Sequence, residues 1–278
     1  MAAAKIPAFP YDQKPYEYAG EALRKAWTRL HAGDCEPFPD AAAVLKLTGA
    51  GAGSKAAGLA QQLQQAWRSY HRGDFGDAIS LGSKLGPLGA TVANKAAAVV
   101  ATYLEEDERR AIRLLEEATT RADASVQALP DYPNAWYMQA FVLGRYAQRI
   151  SIVKALAEGI GGKVHRALER TIGLEPAHAD ANIALGLYHA EIIDKVGALA
   201  GRLTYGADAA KSVKSFEQAL KLNPASAIAH MEFANGLLML HGEKQKAKAV
   251  ELYRKAAACK PADAMERLDV EQARAELD

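Results

Sequence analysis

Aromatic rings are scarce in this 278-residue chain: they make up 7% of it, although half of all residues are hydrophobic. Cysteine is scarcer still, with Cys35 and Cys259 placed near opposite ends. A pair so far apart is no disulfide framework, and free, mostly buried thiols of a reducing compartment are expected. Neither sign of charge dominates, since 34 lysines and arginines face 33 aspartates and glutamates for a formal net charge of +1. That balance supplies no electrostatic footprint for nucleic acid or an anionic membrane. No apolar run approaches the ~20 residues needed to span a bilayer. The opening stretch MAAAKIPAFPYDQKP is interrupted by Lys5, Pro7 and Pro10 and lacks arginine, so neither a secretory h-region nor a transit peptide is read there. The expectation is a cytoplasmic protein with no membrane partner and no nucleic-acid partner.

What the chain does contain is repetition. Ala26-Trp27, His31 and Gly33-Asp34 return as Ala66-Trp67, His71 and Gly73-Asp74, an offset of 40. Tyr70, Ala78 and Leu81 return 33 residues later as Tyr103, Ala111 and Leu114. Periods of this size mean stacked supersecondary units. In the second half, Ala249, Tyr253, Ala256 and Pro261 share their spacing with Ser212, Phe216, Ala219 and Pro224, and with Val164, Leu168, Thr171 and Pro176. Positions i, i+4 and i+7 lie on one helical stripe. A small residue there admits a neighbouring helix, the larger one fills the gap, and proline stops the helix. Alanine thus carries much of the apolar count, and rings take the packing slots at Trp27, Trp67, Tyr70, Tyr103, Phe216 and Tyr253.

The partner helix carries Asn182-x-x-Leu185-Gly186-x-x-His189, a form of W-x2-L-G-x2-Y. Together with the A-x3-F and P spacings, these residues resemble the tetratricopeptide repeat family. The resemblance implies an all-α, right-handed α-solenoid or superhelix of helix pairs. About six pairs are expected within 20–261: 20–50, 58–88, 91–129, 134–176, 179–224 and 227–261. Residues 1–19 form an N-terminal arm. Residues 262–278 form a capping helix with Met265, Leu268 and Leu277 inward, and Asp263, Glu266, Asp269, Glu271 and Arg274 on a solvated face. Leu185 to Pro224 is longer than one repeat allows, which places an insertion near 191–208; a second extension falls at 151–162. More narrowly, Leu143-Gly144-Arg145-Tyr146 and the Phe216/Pro224 unit are similar to the C-terminal helical region of the regulator of microtubule dynamics proteins. That likeness implies an interaction module and no more.

Catalytic and cofactor chemistry finds no support in the motifs. Gly49–Lys55 is glycine-rich, but serine precedes lysine where a phosphate-binding loop needs lysine first, so it reads as a link with Ser54 as N-cap. His189-Ala190-Glu191 lacks the P-C-x-x-C that zinc deaminases need, and i, i+2 residues face different sides of a helix. His189 reads instead as a hydrogen-bonded packing residue, and His31 and His71 as structural equivalents of each other. No nucleophile elbow, metal set or cofactor motif is present, and the chain is expected not to be an enzyme.

The first helices of such arrays line a concave face. Counting from the motif gives groove candidates Asn134, Tyr137, Phe141 and Arg145, then Ile183, Leu187 and Glu191, then Met231, Asn235 and Leu238. The family's carboxylate-clamping members use a lysine/asparagine/arginine set, and only Asn235 lands at such a place here. The expectation is an adaptor or scaffold that binds a protein or peptide through a largely apolar groove. Two alternatives stay open. The insertion 191–208, with Val196, Leu199, Leu203 and Tyr205, fills the groove or closes a small-ligand pocket with Glu191, Arg145 and Tyr205 as polar fixings; or the chain associates with itself as a homo-oligomer.

Overall fold

A computed structural model of the chain describes residues 6–49 and 52–277. Among these residues the secondary structure is helical throughout: α1 (Glu21–Leu30), α2 (Ala41–Thr48), α3 (Ala56–Arg72), α4 (Phe75–Lys84), α5 (Ala90–Val99), α6 (Glu108–Ala128), α7 (Pro133–Arg149), α8 (Ile152–Ala157), α9 (Ile160–Leu174), α10 (Ala179–Val196), α11 (Ala198–Tyr205), α12 (Ala209–Leu222), α13 (Ala227–His241), α14 (Lys246–Ala257) and α15 (Ala264–Ala275). Short polar side chains open several of them. Asp40, Asp107, Ser151, Asp208 and Ser226 each accept the backbone N–H three residues on, and the imidazole of His178 does the same for Ala181. Each satisfies one of the amides that a helix N-terminus leaves without an internal partner. Ser54 is no cap: it lies in a 3-10 turn, Gly53–Lys55, and α3 starts after Lys55 without a side-chain cap. Residues 50 and 51 of the glycine-rich stretch lie outside the described residues.

The helices form two compact units. The first runs through Leu30, resumes over Glu36–Arg149 and takes in Asp263–Met265; the second comprises His31–Cys35, Ile150–Ala262 and the chain from Glu266 onward. In the first, α5 is the centre. Every residue of Ala90–Val99 except Lys95 is buried, and α3, α4, α6 and α7 all touch it. Its alanines let four helices approach a backbone that larger side chains would hold off. Beside it, Phe9, Tyr16, Trp27, Trp67, Tyr70 and Phe75 gather into an edge-to-face aromatic cluster.

In the second unit, α10 is central and packs on α9, α11, α12 and α13. Phe216 of α12 enters a slot made by Gly186 of α10 and Gly236 of α13. A Cβ at Gly186 would lie 2.9 Å from the ring, and one at Gly236 2.6 Å from it. The Ser212 hydroxyl donates to the Gly186 carbonyl at 2.7 Å, so the small stripe residue is also a tether between helices.

The stripe logic holds at atomic detail. Ala78, Ala111, Ser212, Ala219, Ala249 and Ala256 are all completely buried, and Trp27, Trp67, Tyr70, Phe216 and Tyr253 are buried beside them. Tyr103 differs, being half-buried. The last helix departs from its expected sidedness. Leu268 is buried, but Leu277 lies beyond α15 and is exposed, while Asp263 and Asp269 are buried rather than solvated. Asp263 is drawn inward by a hydrogen bond from His71 Nδ1 at 2.8 Å.

Candidate functional site

The candidate site in the first unit is built on one stripe of α7. Tyr137, Phe141, Arg145 and Arg149 follow one another at i+4 and so lie on one helix face. Tyr137 is buried, and the Phe141 ring stacks on it at 5.7 Å. The Arg145 guanidinium lies over the Phe141 ring, 5.5 Å from its centroid, and donates to Gln148 Oε1 at 3.1 Å. One turn on, Arg149 donates from Nη1 to Glu108 Oε2 at 2.5 Å and from Nη2 to the Ala101 carbonyl. Arg145, Gln148 and Arg149, with Thr102 and Glu108, line a cleft of about 370 Å³.

Local backbone chemistry shapes the floor of that cleft. α5 runs on into a π-helical turn, Val100–Leu104, which the Glu105 N–H closes onto the Val100 carbonyl at 2.9 Å. Single π-turns are frequent at functional sites because the widened ladder re-aims side chains and loosens carbonyls. Here the Ala101 carbonyl is the one Arg149 takes up. The Glu105 carboxylate holds Arg110 at 2.8 Å, so the charge-dense start of α6 is an internal brace as well as a solvated face. The cleft lining thus carries two guanidinium groups and one carboxylate.

Asn134 sits on the same helix but is not offered to a partner. It is buried, and its amide donates to Glu36 Oε2 at 2.6 Å, where the Tyr132 hydroxyl also donates. It anchors the Glu36 loop to the start of α7. Of the first-unit candidates, therefore, Tyr137, Phe141 and Arg145 form one ladder and Asn134 holds the scaffold. Arg149, Thr102, Glu108 and Gln148 complete the cleft and were not among the expected residues. Extending the i+4 stripe one turn past Arg145 reaches Arg149; the π-turn leaves no comparable trace in the sequence.

The second-unit candidates occupy different roles. Ile183 and Met231 belong to the hydrophobic core around Phe216, with Leu187 and Leu238 packed partly against it. Asn235 accepts from the Tyr253 hydroxyl at 2.5 Å and donates to Glu232 at 3.0 Å. Glu191 is half-buried and pairs with Lys195 at 3.7 Å.

The insertion does not fold back as a plug or lid. Leu199 and Leu203 are 69% and 75% exposed, while Val196 and Tyr205 are half-buried. The reason is the face that α11 turns inward. Its inward residues are Gly201, where a Cβ would lie 3.2 Å from Ile192 and 3.6 Å from Ala207, and Tyr205, whose carbonyl accepts from the Tyr188 hydroxyl at 3.0 Å; both leucines, two places either side of Gly201, point the opposite way.

Two histidine–carboxylate pairs lie inside the fold. His31 Nδ1 and Asp34 pair at 2.9 Å, and His71 pairs with Asp263; all four side chains are nearly or fully buried. His189 departs from its expected hydrogen bond. Its Nδ1 is buried with no hydrogen-bond partner among the described residues, and the ring packs on Tyr188 and His165 instead. Burial first, then the charges of His165 and Lys211, hold its pKa down to about 4. Neither cysteine is in a disulfide among the described residues, and both are half-buried. Burial, followed by Glu175, Asp34 and Asp180, pushes the Cys35 thiol up to about 11, far from the thiolate that chemistry would need. Among the described residues, no three His, Cys, Asp or Glu side chains are placed to hold a metal ion, and no helix is long and apolar enough to cross a membrane.

No family model matches the chain, and no curated protein sequence matches it. Solved structures do. TTC0263, a thermophilic tetratricopeptide-repeat protein from Thermus thermophilus, is 16% identical and aligns over 78% of this chain and 99% of its own, with a TM-score of 0.55. MamA, also 16% identical, aligns over 79% of this chain and 95% of its own at a TM-score of 0.40. With its successive packed helices and buried small-residue stripes, the chain has the all-α helical-repeat fold of a tetratricopeptide-repeat protein.

Proposed function

We propose that the chain is a non-enzymatic protein-interaction scaffold, and that its binding surface is the α7 face running from Phe141 into the Arg145/Arg149 cleft. The observation that carries this reading is the continuity of the ladder. An aromatic face leads by one cation–π step into an arginine-lined cleft large enough for a side chain. That sequence of surfaces suits a peptide segment with a carboxylate side chain next to an apolar one. Arginine forks bind carboxylates in two-pronged fashion, and Phe141 supplies the adjoining apolar shelf. The non-enzymatic reading rests on accessibility: both histidine–carboxylate pairs are sealed inside the fold, and neither faces a surface where substrate could reach it.

Fluorescence polarisation against an array of synthetic peptides tests this, with glutamate- and leucine-containing sequences set beside lysine-substituted counterparts. Selective binding of the acidic set is expected. The Arg145→Glu variant should weaken it by at least tenfold, since one desolvated charge-assisted contact contributes ~1.5–3 kcal/mol. Indifference to peptide charge, or a normally folded Arg145→Glu chain that binds as well as wild type, would defeat the reading.

A further inference from the structure

The contact between α5 and α6 in the first unit holds buried polar groups that the α7 cleft does not use. Asn94 of α5 is completely buried, and its Oδ1 accepts from Arg121 Nε of α6 at 2.9 Å. One turn further along α6, the Ser125 hydroxyl donates to the Pro87 carbonyl at 3.3 Å. These two contacts fix the register of α6 along Pro87–Asn94. Thr91 lies between them, three residues before Asn94 and so on the same helix face. Thr91 and Ser125 are buried as well.

Three atoms of this contact have no hydrogen-bond partner among the described residues: Thr91 Oγ1, Asn94 Nδ2 and Arg121 Nη2. Buried polar atoms are seldom left open, because water served them before folding. Nε and Nη2 share one edge of a guanidinium, and their N–H bonds run side by side. Asn94 Oδ1 takes only the first, so Nη2 points past that oxygen. Nδ2 belongs to the same amide, and the two open donors therefore flank one carbonyl oxygen, with the Thr91 hydroxyl one turn away.

Negative charge is missing at the same place. α5, α7, the 3-10 turn Gly86–Gly89 and the π-turn Val100–Leu104 all pack on α6, and none of them carries an aspartate or glutamate. The charged residue of α5 is Lys95, a further cation. The acidic side chains of α6 itself are engaged or turned out. Glu108 holds Arg149, Glu116 accepts from Tyr146, Asp123 accepts from Gln139, and Glu117 is exposed. Burial lowers the Arg121 pKa below its ordinary value, and the charge of Glu117 restores it only in part.

We propose that Thr91, Asn94 and Arg121 form a binding site for a small monovalent anion of chloride size. The anion accepts from Arg121 Nη2, Asn94 Nδ2 and the Thr91 hydroxyl, and it supplies the counter-charge that the surrounding helices lack. A water molecule would satisfy two of these hydrogens but leave the guanidinium uncompensated, a costly arrangement in a low-dielectric interior. A doubly charged anion would exceed the single positive charge it meets there. Occupancy joins α5, the central helix of the first unit, to α6.

Two measurements on the full chain test the proposal, with bromide as the probe. Crystals grown in sodium bromide are expected to show an anomalous peak within hydrogen-bonding distance of Arg121 Nη2 and Asn94 Nδ2. In urea unfolding at constant ionic strength, bromide replaces gluconate. Each tenfold rise in bromide above its Kd should then raise the folding equilibrium constant about tenfold. Asn94→Asp, nearly unchanged in shape, offers a fixed carboxylate to both Arg121 N–H groups. It should remove the bromide dependence and raise the midpoint in bromide-free buffer. Arg121→Met keeps the apolar stem of a half-buried side chain and should remove the dependence without that gain. Water in place of bromide at the site overturns the proposal. So does a bromide response as large in either variant as in the wild type, which is a general salt effect. A bromide peak with no effect on unfolding is an adventitious ion only, and overturns it too.

Discussion

Adding one methyl group at Gly236 tests the packing logic that builds the second unit. Its Cβ would stand 2.6 Å from Phe216 Cε2 and 3.1 Å from Cζ, closer than carbon atoms tolerate. The ring has nowhere to retreat. Phe216 is 1% exposed, Gly186 presses on it from α10, and Phe233 stacks on it at 5.2 Å. Overpacking of this kind costs about 2–3 kcal/mol. Alanine in place of glycine inside a helix returns about 1 kcal/mol of backbone preference. The net expectation for Gly236→Ala is a loss of about 1–2 kcal/mol, or a Tm lower by roughly 2–8 °C for a domain of this size. Gly144→Ala supplies the control, because a Cβ there meets no atom within 4 Å and should stabilise by up to ~1 kcal/mol through helix preference alone. Urea unfolding followed by circular dichroism measures both. Trimming the ring with Phe216→Leu in the Gly236→Ala background should relieve the clash, so the two changes together cost at least ~1 kcal/mol less than their sum. If Gly236→Ala stabilises as much as Gly144→Ala, or the two changes simply add, the slot does not constrain the fold.

Two further outcomes follow from buried titratable groups. His189 stays neutral in the fold down to about pH 4, whereas an unfolded histidine takes up its proton near ~6.5. Stability is therefore full above ~6.5 and falls as pH drops from ~6.5 to ~4, by about 3 kcal/mol. Urea midpoints across that range should slope less in His189→Gln, and an equal slope in both proteins would rule this histidine out as the cause. Asp263→Ala leaves the buried His71 Nδ1 without its acceptor and should cost about 2 kcal/mol, again read from urea unfolding; a loss under ~0.5 kcal/mol would show that the pair is dispensable.

Helices and their stripes were legible because their causes are local. A small residue, a ring three or four places on and a later proline describe one face and one end of a helix without reference to the rest of the chain. The spacing of Ala249, Tyr253 and Ala256 therefore suffices to place them on one stripe, and all three are buried. Part of the candidate site was legible for the same reason, since Tyr137, Phe141 and Arg145 are spaced to share a face. Arg149 continues that stripe, but its role depends on a π-turn that comes from α5, more than 40 residues earlier.

Which way an apolar or charged residue faces had no local cause. Met231 and Leu203 offer much the same chemistry, yet one is sealed beside Phe216 and the other stands 75% exposed. The difference arises because α13 is enclosed by neighbouring helices, whereas α11 turns only Gly201 and Tyr205 towards its unit and leaves Leu203 on the outer side. Asp263 and Asp269 were placed on a solvated face by their charge alone; the tertiary fold put both inside, the first against His71. The sequence by itself determined the helical repeat, its small-and-large stripes and the scarcity of rings that follows from them. Only the packing of one helix against another decided which side chains became core, which became cleft and which were left in the open, because burial is set by what arrives from elsewhere in the chain.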